Sequence, residues 1–201
     1  SCIPSVSSNV SGSIIVNAPP AITAHPSAAT QTLCLNAAAT ALAVTATGAG
    51  ATYQWYSNTP NSNTGGTLIT GATLSTYTPN TSTSGTLYYY VVVTGSCIPP
   101  VTSNVSGSIT VNPTTAGGAL SANQIICQNT SPADITLIGN VGGVVKWQRA
   151  GDPSFTSPTD ISNTTNTLLG SLIGSLTTST YFRAVVQSGS CSIAYSTSAL
   201  I

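Results

Sequence analysis

The stretch LYYYVVVTGSC at residues 87–97 ends on a cysteine, and TYQWYSN at residues 52–58 places a tryptophan 42 residues before it. With a further cysteine upstream, these segments form a pattern of cysteine, tryptophan and cysteine that occurs twice in the chain. The two cysteines are 63 residues apart in the first copy and 64 in the second. The residues are Cys34, Trp55 and Cys97, then Cys127, Trp147 and Cys191. The chain therefore contains two copies of one module.

Short segments rich in β-branched and aromatic residues surround both tryptophans, as expected for strands. The predicted strands are 41–46, 53–56 and 87–93 in the first copy, and 144–148 and 181–186 in the second. A tryptophan packed on a disulfide that joins two sheets is typical of an immunoglobulin-type sandwich. We therefore predict an all-β fold of tandem immunoglobulin-like sandwiches. Each has one inter-sheet disulfide, Cys34 with Cys97 and Cys127 with Cys191, and Trp55 and Trp147 lie in the cores.

For some segments the sequence also predicts the position of the strand in the sheet or the exposure of its side chains. Residues 87–93 have apolar side chains on both faces, which favours a central strand. Residues 125–127 are expected to open a strand of the second copy. Lys146 and Gln148 flank Trp147 and are expected to face solvent, because side chains alternate along a strand.

A near-exact duplication sets the boundaries of the modules. Residues 1–17, SCIPSVSSNVSGSIIVN, recur at 96–112 as SCIPPVTSNVSGSITVN, which makes Cys2 the counterpart of Cys97. We therefore predict that residues 1–17 are the last strand of a preceding immunoglobulin-like repeat. Residues 18–113 form one repeat, and residues 114–201 form a second repeat whose last strand is truncated.

The charge content is very low, with three basic and three acidic residues among 201. Globular proteins usually carry about 25% charged residues. So few lysines and arginines argue against binding to nucleic acid or to an anionic membrane surface. No run of 18 apolar residues occurs, so no membrane insertion is expected for this segment. Cysteines in this arrangement predict an oxidising, extracellular compartment.

Catalytic and metal-binding patterns are weak. His25 is the one histidine, and its module contains no carboxylate, which disfavours a catalytic triad. The acidic residues are Asp134, Asp152 and Asp160, and Asp152 precedes a proline in a turn-like Gly-Asp-Pro. The cysteines lack C-x-x-C spacing, and calcium binding by Asp152 and Asp160 is a weaker alternative. We expect no catalytic residue, no cofactor and no metal, and place recognition in loops 57–66 and 153–162.

The second module resembles a known family at several segments. They are Ile125-Ile126-Cys127, Ser131-Pro132, residues 143–148, residues 152–155 and residues 180–186. These look like the immunoglobulin-like repeats of giant Bacteroidota cell-surface adhesins, including the gliding-motility adhesins exported by the type IX secretion system. The first module resembles the family more loosely, through Tyr53-Gln54-Trp55 and the 87–93 strand.

The resemblance implies a segment of a long extracellular filament on a bacterial cell surface, serving attachment and gliding motility. Its partners would be other repeats of the same protein or neighbouring subunits, with surface polysaccharides as candidate ligands. One alternative is a subunit of a self-assembling filament, in which residues 1–17 complete the truncated repeat of a neighbouring chain by strand donation. Another is a pair of spacer domains in a secreted polysaccharide-degrading enzyme.

Overall fold

The computed structural model describes residues 3–201, and almost all of the regular structure is β-strand. We call residues 21–112 the first repeat and residues 116–201 the second repeat. The strands of the first repeat are β1 (Ala21–Ala24), β2 (Gln31–Cys34), β3 (Leu42–Ala43), β4 (Thr45–Thr47), β5 (Thr52–Asn58), β6 (Thr67–Leu68), β7 (Thr76–Tyr77), β8 (Gly85–Thr94), β9 (Val101–Thr102) and β10 (Ile109–Asn112).

The first repeat is a two-layer sandwich. Its larger sheet has the order β2-β10-β8-β5-β6, with β9 also paired to β8. The pairs β1-β4 and β3-β7 form the opposing layer. Strand β8, with its tyrosine and valine run, lies between β10 and β5, which confirms the predicted central position.

The second repeat repeats this plan. Its elements are β11 (Ala119–Leu120), β12 (Ile135–Ile138), β13 (Gly143–Ala150), β14 (Thr159–Ile161), β15 (Thr167–Leu168), the short helix α1 (Gly170–Ile173), β16 (Tyr181–Gln187), β17 (Ala194–Tyr195) and β18 (Ala199–Leu200). One sheet has the order β11-β12-β15. The other has the order β14-β13-β16-β17, and β18 also pairs with β16.

A buried tryptophan lies in the core of each sandwich. Trp55 and Trp147 are 0% exposed, and each packs in a cluster of apolar side chains from both layers. Trp55 Nε1 donates to the Leu74 carbonyl at 2.9 Å, and Trp147 Nε1 donates to the Thr165 carbonyl at 3.0 Å. A buried indole needs a partner for its N–H, and the same solution occurs in both repeats.

Two predicted strands differ in the structure. Residues 41–46 form two short strands because β3 pairs with β7 whereas β4 pairs with β1. Residues 125–127 form no strand, because no neighbouring strand in the described chain pairs with them.

The segment before the first repeat is extended and exposed. Residues 3–20 contain no strand, and Val10, Ile14 and Val16 are each more than 90% exposed. The assignment of residues 1–17 to a preceding repeat stays a prediction, and Cys2 lies outside the described residues.

Candidate functional site at the joint between the repeats

The two repeats meet where β2 and β10 end side by side. These strands run parallel, with Ile109 opposite Gln31 and Asn112 opposite Cys34. Leu35 N–H donates to the Asn112 carbonyl at 2.9 Å, so the pairing continues to the end of β10. The chain then passes through Pro113 into the second repeat. This pairing puts Cys34 beside the exit from the first repeat.

A disulfide crosses the joint. Cys34 bonds to Cys191 of the second repeat, with their Cα atoms 5.4 Å apart. Cys191 is buried, and its Sγ lies 3.7 Å from the Pro113 carbonyl oxygen. Cys97 and Cys127 are unpaired among the described residues. The structure therefore links one repeat to the next rather than one sheet to the other.

The predicted pairing of Cys34 with Cys97 and of Cys127 with Cys191 is wrong. Strand β8 runs antiparallel to β10, with Gly85 opposite Val111, so β8 begins at the joint. Cys97 follows the far end of that ten-residue strand, and ten extended residues span about 33 Å. Cysteine Cα atoms must approach within about 7 Å to form a disulfide, so Cys34 and Cys97 are at the wrong ends of one sandwich.

The loop before Cys191 is shaped to fit the first repeat. Gly189 has φ +53°, and a Cβ there would lie 2.3 Å from the Asn112 side-chain nitrogen. Glycine is therefore required both for the backbone conformation and for the close approach. Ser190 Oγ donates to the Thr32 carbonyl at 3.3 Å, and Ser188 N–H donates to Thr115 Oγ1 at 3.0 Å. The joint, formed by 31–34, 109–115 and 188–191, thus has hydrogen bonds and close packing around its disulfide.

A second candidate surface lies on the outer face of strands β13, β14 and β16. Lys146 Nζ donates to Asp160 Oδ2 at 2.8 Å, and Gln148 Nε2 donates to Asp160 Oδ1 at 2.9 Å. Arg183 Nε donates to Gln148 Oε1 at 2.8 Å. The hydrogen bonds from Lys146 and then from Gln148 lower the pKa of the Asp160 carboxyl. We call these four residues the polar ladder.

The polar ladder corrects one prediction. Gln148 points away from the core but is only 6% exposed, because Asp160 and Arg183 cover it. The Arg183 guanidinium carbon lies 4.1 Å from the ring centre of Phe155 and 3.8 Å from that of Tyr195. Sequence alternation placed Gln148 on the correct face but could not show that cross-strand neighbours would cover it.

Arg183→Ala is expected to destabilise the second repeat by about 1–3 kcal/mol, since it removes two cation–π contacts and leaves the Gln148 amide without a donor. Arg183→Lys should recover only part of this loss. The lysine ammonium keeps the positive charge, but it cannot stack on the rings as a planar group. Arg149→Ala, at an exposed position on β13, is the matched control and should change stability by less than about 0.5 kcal/mol. Denaturant unfolding measures all three; equal losses in the two alanine variants would contradict the contacts.

A cavity of about 620 Å³ opens at the side of the first repeat. Its lining includes Tyr77, Tyr89, Leu87 and Asn80, together with several serine and threonine side chains. Burial raises the pKa of Tyr89 to about 12, with a smaller contribution from Tyr77, whose own pKa burial also raises. Apolar ring faces beside hydroxyl groups make this cavity a candidate binding site.

Alkali is expected to destabilise the first repeat through Tyr89. Because its folded pKa of about 12 lies above the usual value of about 10, stability is retained below pH 10 and falls as the pH rises toward 12. Tyr89→Phe should flatten that fall, whereas Tyr88→Phe, outside the cavity, should not. Unfolding midpoints at pH 9 and pH 11 check this. A Tyr89→Phe variant with the wild-type loss would count against the burial of the phenol.

The profile of one protein family matches the chain twice. The family is described as "Domain of unknown function (DUF8696)", and the matches cover residues 23–113 and 116–201. The chain belongs to this family. A comparison with curated protein sequences found no match.

Solved structures confirm the fold. The four N-terminal immunoglobulin domains of Dscam1 isoform 4.44 superpose with a TM-score of 0.52 at 13% identity, over 93% of this chain and 46% of that one. Sidekick-1 immunoglobulin domains 1–5 give a TM-score of 0.50 at 14% identity, over 92% of this chain and 39% of that one. This DUF8696 chain thus spans less than half of either structure. The likeness establishes tandem immunoglobulin-like domains, which together with a disulfide are typical of secreted or extracellular proteins.

The remaining polar residues singled out from the sequence have structural contacts. His25 Nδ1 accepts from Asn104 N–H at 3.0 Å. Asp134 accepts from Gly170 N–H at 2.8 Å, and Asp152 accepts from Ser154 N–H at 3.0 Å within its turn. Within residues 3–201, no group of three or more His, Cys, Asp or Glu side chains could hold a metal ion. No helix in that range is long and apolar enough to cross a membrane.

Proposed function

We propose that this chain is a structural and adhesive segment of a long extracellular filament on a Bacteroidota cell surface, exported by type IX secretion, that mediates attachment and gliding. The observation that carries the proposal is the disulfide across the joint, which couples immunoglobulin-like repeats in series. A bond between repeats serves the continuity of an array, whereas a bond within a repeat would serve only that repeat.

The surface chemistry supports an extracellular structural role. Charged residues make up 3% of the chain, and it contains no methionine, the residue most easily oxidised outside the cell besides cysteine. Three lysines and arginines in all leave few sites for trypsin-like proteases. Such a composition suits a protein that persists outside the cell.

The test is a deletion of residues 21–201 from the protein in the cell that makes it. We expect attachment to glass and gliding speed to fall, while the protein remains exported and accessible to protease on intact cells. A Tyr88→Phe variant, at a position outside the cavity, serves as a folded control that should attach normally. Wild-type attachment and gliding by the deletion strain would overturn the proposal.

For the adhesive ligand, we propose a surface polysaccharide bound in the cavity of the first repeat. Tyrosine rings pack against sugar faces, and the Asn80, Thr and Ser side chains lining the cavity can hydrogen-bond to sugar hydroxyls. Titration calorimetry with cell-surface glycans should give binding that Tyr77→Ala weakens at least tenfold. Binding that Tyr77→Ala leaves unchanged would place the ligand elsewhere.

A non-catalytic role is part of the same proposal. Asp134, Asp152 and Asp160 each accept hydrogen bonds that hold loops or strands, and His25 is engaged by a main-chain N–H. Incubation of the purified chain with polysaccharides should release no reducing ends above a heat-denatured control. Product formation that survives repurification would contradict it.

Strand donation between copies is the second candidate, and a specific observation favours it. Ile14 and Val16, the counterparts of Ile109 and Val111, are each 91% exposed, whereas Ile109 and Val111 are 2% and 4% exposed in β10. In the second repeat Ile201 already occupies the place of Ile109, since Gln124 N–H donates to the Leu200 carbonyl as Gln31 N–H does to the Ser108 carbonyl. Burial of Val16 in the place of Val111 would contribute roughly 1.5–3 kcal/mol. Sedimentation should show concentration-dependent association that Val16→Asp abolishes; association that persists in Val16→Asp would contradict donation by this segment.

A further inference from the structure

Two tyrosines of the cavity in the first repeat are replaced by apolar residues in the second repeat. Tyr89 lies two residues before the residue that pairs with the core tryptophan, and Phe182 holds that place in the second repeat. Tyr77 is the second residue of β7, and Leu168 is the second residue of β15, the strand that takes the same place in the second sandwich. Phe182 and Leu168 are both 0% exposed. The phenol groups therefore occur in the repeat that has the cavity.

The segment that leads into the central strand also differs between the repeats. In the second repeat this segment contains α1, and it buries Ile173 and Leu176 in the core. In the first repeat the corresponding segment includes residues 80–86, NTSTSGT, which have no aliphatic or aromatic side chain. All of these residues except Thr81 line the cavity. The cavity is therefore present because polar residues take the place of apolar residues that fill the second core.

The Tyr89 hydroxyl is a buried polar group without a partner. Tyr89 is 2% exposed, and its phenol oxygen makes no hydrogen bond within residues 3–201, whereas the Tyr90 phenol oxygen accepts from Gly66 N–H at 3.1 Å. The one fully enclosed side-chain atom without a hydrogen bond in that range is Asn112 Nδ2, so the Tyr89 hydroxyl opens into the cavity that this residue lines. Buried hydroxyls are normally hydrogen-bonded, and a hydroxyl of a ligand in the cavity would supply the partner.

No charged side chain lines the cavity. Its lining consists of apolar residues, tyrosines, asparagine, glycine, serines and threonines, and all six charged residues of the chain lie after residue 113. A carboxylate or sulfate group that entered the cavity would lose its hydration without gaining a cation, which is costly. The hydroxyls of a neutral sugar lose less, because the hydroxyls of Ser82, Thr83 and Ser84 line the cavity and have no hydrogen-bond partner within residues 3–201. The chemistry of the lining therefore favours an uncharged ligand that has hydroxyl groups.

We propose that the cavity of the first repeat binds an uncharged sugar residue of a polysaccharide and discriminates against acidic sugars, and that the Tyr89 hydroxyl is its buried hydrogen-bonding group. The sugar ring packs against Tyr77, and its hydroxyls pair with Tyr89 Oη and with the hydroxyls of residues 82–84. The inference rests on the polysaccharide ligand proposed above. It adds the charge of the sugar and the residue that recognises it inside the cavity.

The test is calorimetric titration of the chain with cell-surface polysaccharide that an anion exchanger has separated into a neutral and an acidic fraction. We expect the neutral fraction to bind at least about tenfold more tightly, and methyl-esterification of the acidic fraction to raise its affinity.

Three variants test the residues. Tyr89→Phe keeps the ring and should weaken binding of the neutral fraction about tenfold, because a ligand hydroxyl loses its partner. Tyr88→Phe, outside the cavity, is the matched control and should bind as the wild type does. Ser82→Lys, at an exposed position of the lining, should raise the affinity for the acidic fraction about tenfold by supplying a cation. Unfolding midpoints at pH 7 that match the wild type show that the variants are folded.

Each contrary result has a different meaning. An acidic fraction that binds as tightly as the neutral fraction, with Tyr77→Ala weakening both, overturns the preference for uncharged sugars and leaves the polysaccharide site standing. Wild-type affinity of the folded Tyr89→Phe variant for the neutral fraction overturns the role of the hydroxyl. Binding of both fractions that Tyr77→Ala leaves unchanged overturns this inference together with the polysaccharide site on which it rests.

Discussion

Cys34→Ser is expected to uncouple the two repeats and to lower the free energy of unfolding by about 2–5 kcal/mol. The disulfide joins residues 157 positions apart, and closing a loop of that length is worth about 5 kcal/mol in the chain-entropy model. The measured loss should be smaller wherever one repeat unfolds while the other stays folded. Cys191→Ser should behave in the same way, because it removes the same bond.

Cys127→Ser is the matched control for this prediction. Its thiol is exposed and unpaired among the described residues, so the change should alter stability by less than about 0.5 kcal/mol. Denaturant unfolding and small-angle scattering report stability and the spread of distances between repeats. Equal effects of Cys34→Ser and Cys127→Ser on both readouts would contradict a disulfide at the joint.

Trp147→Ala is expected to destabilise the second repeat by about 3–5 kcal/mol, and Trp55→Ala should do the same to the first. Each substitution empties the centre of a core in which the ring is 0% exposed, and each leaves a carbonyl without its indole donor. The total free energy of unfolding of a small domain is about 5–15 kcal/mol. The altered repeat should therefore melt roughly 15 °C or more below the other repeat.

Calorimetry separates the two tryptophan variants. Each variant should show two transitions. The altered repeat should melt at a lower temperature, and the other repeat should melt at nearly its wild-type temperature. The Gly143-to-Ala150 strand carries Trp147, so hydrogen exchange on that strand identifies which repeat opens first. A single transition shifted equally in both variants would mean that the repeats unfold together.

The sequence predicted the sandwiches well because their cores follow local rules. Trp55 and Trp147 have the spacing and the β-branched neighbours of a buried central strand, and β5, β8, β13 and β16 extend the predicted strands by only a few residues. Alternation also placed Gln148 on the outer face of its strand. What it could not supply was the Arg183 and Asp160 side chains that cover Gln148, since these come from other strands.

The disulfide could not be read from spacing. Two cysteines that recur 63 or 64 residues apart in each copy fit pairing within a module and pairing between successive modules equally well, because both patterns are periodic. The direction of β8 decides between them by sending Cys97 to the far end of the sandwich. A weaker signal was present in the Gly-Ser-Cys loops, since Gly189 combines a left-handed backbone conformation with a close approach to Asn112 of the first repeat.

The bond across the joint also determines how far the protein can be drawn out under tension. Pulling on the two ends transmits force from Cys34 directly to Cys191, and the residues between them carry no load even if a sandwich opens. Fully stretched, those 157 positions would add roughly 530 Å of length. Because the disulfide carries the load, this extra length is not released under tension. An array joined in this way would behave under drag as a tether of nearly fixed length.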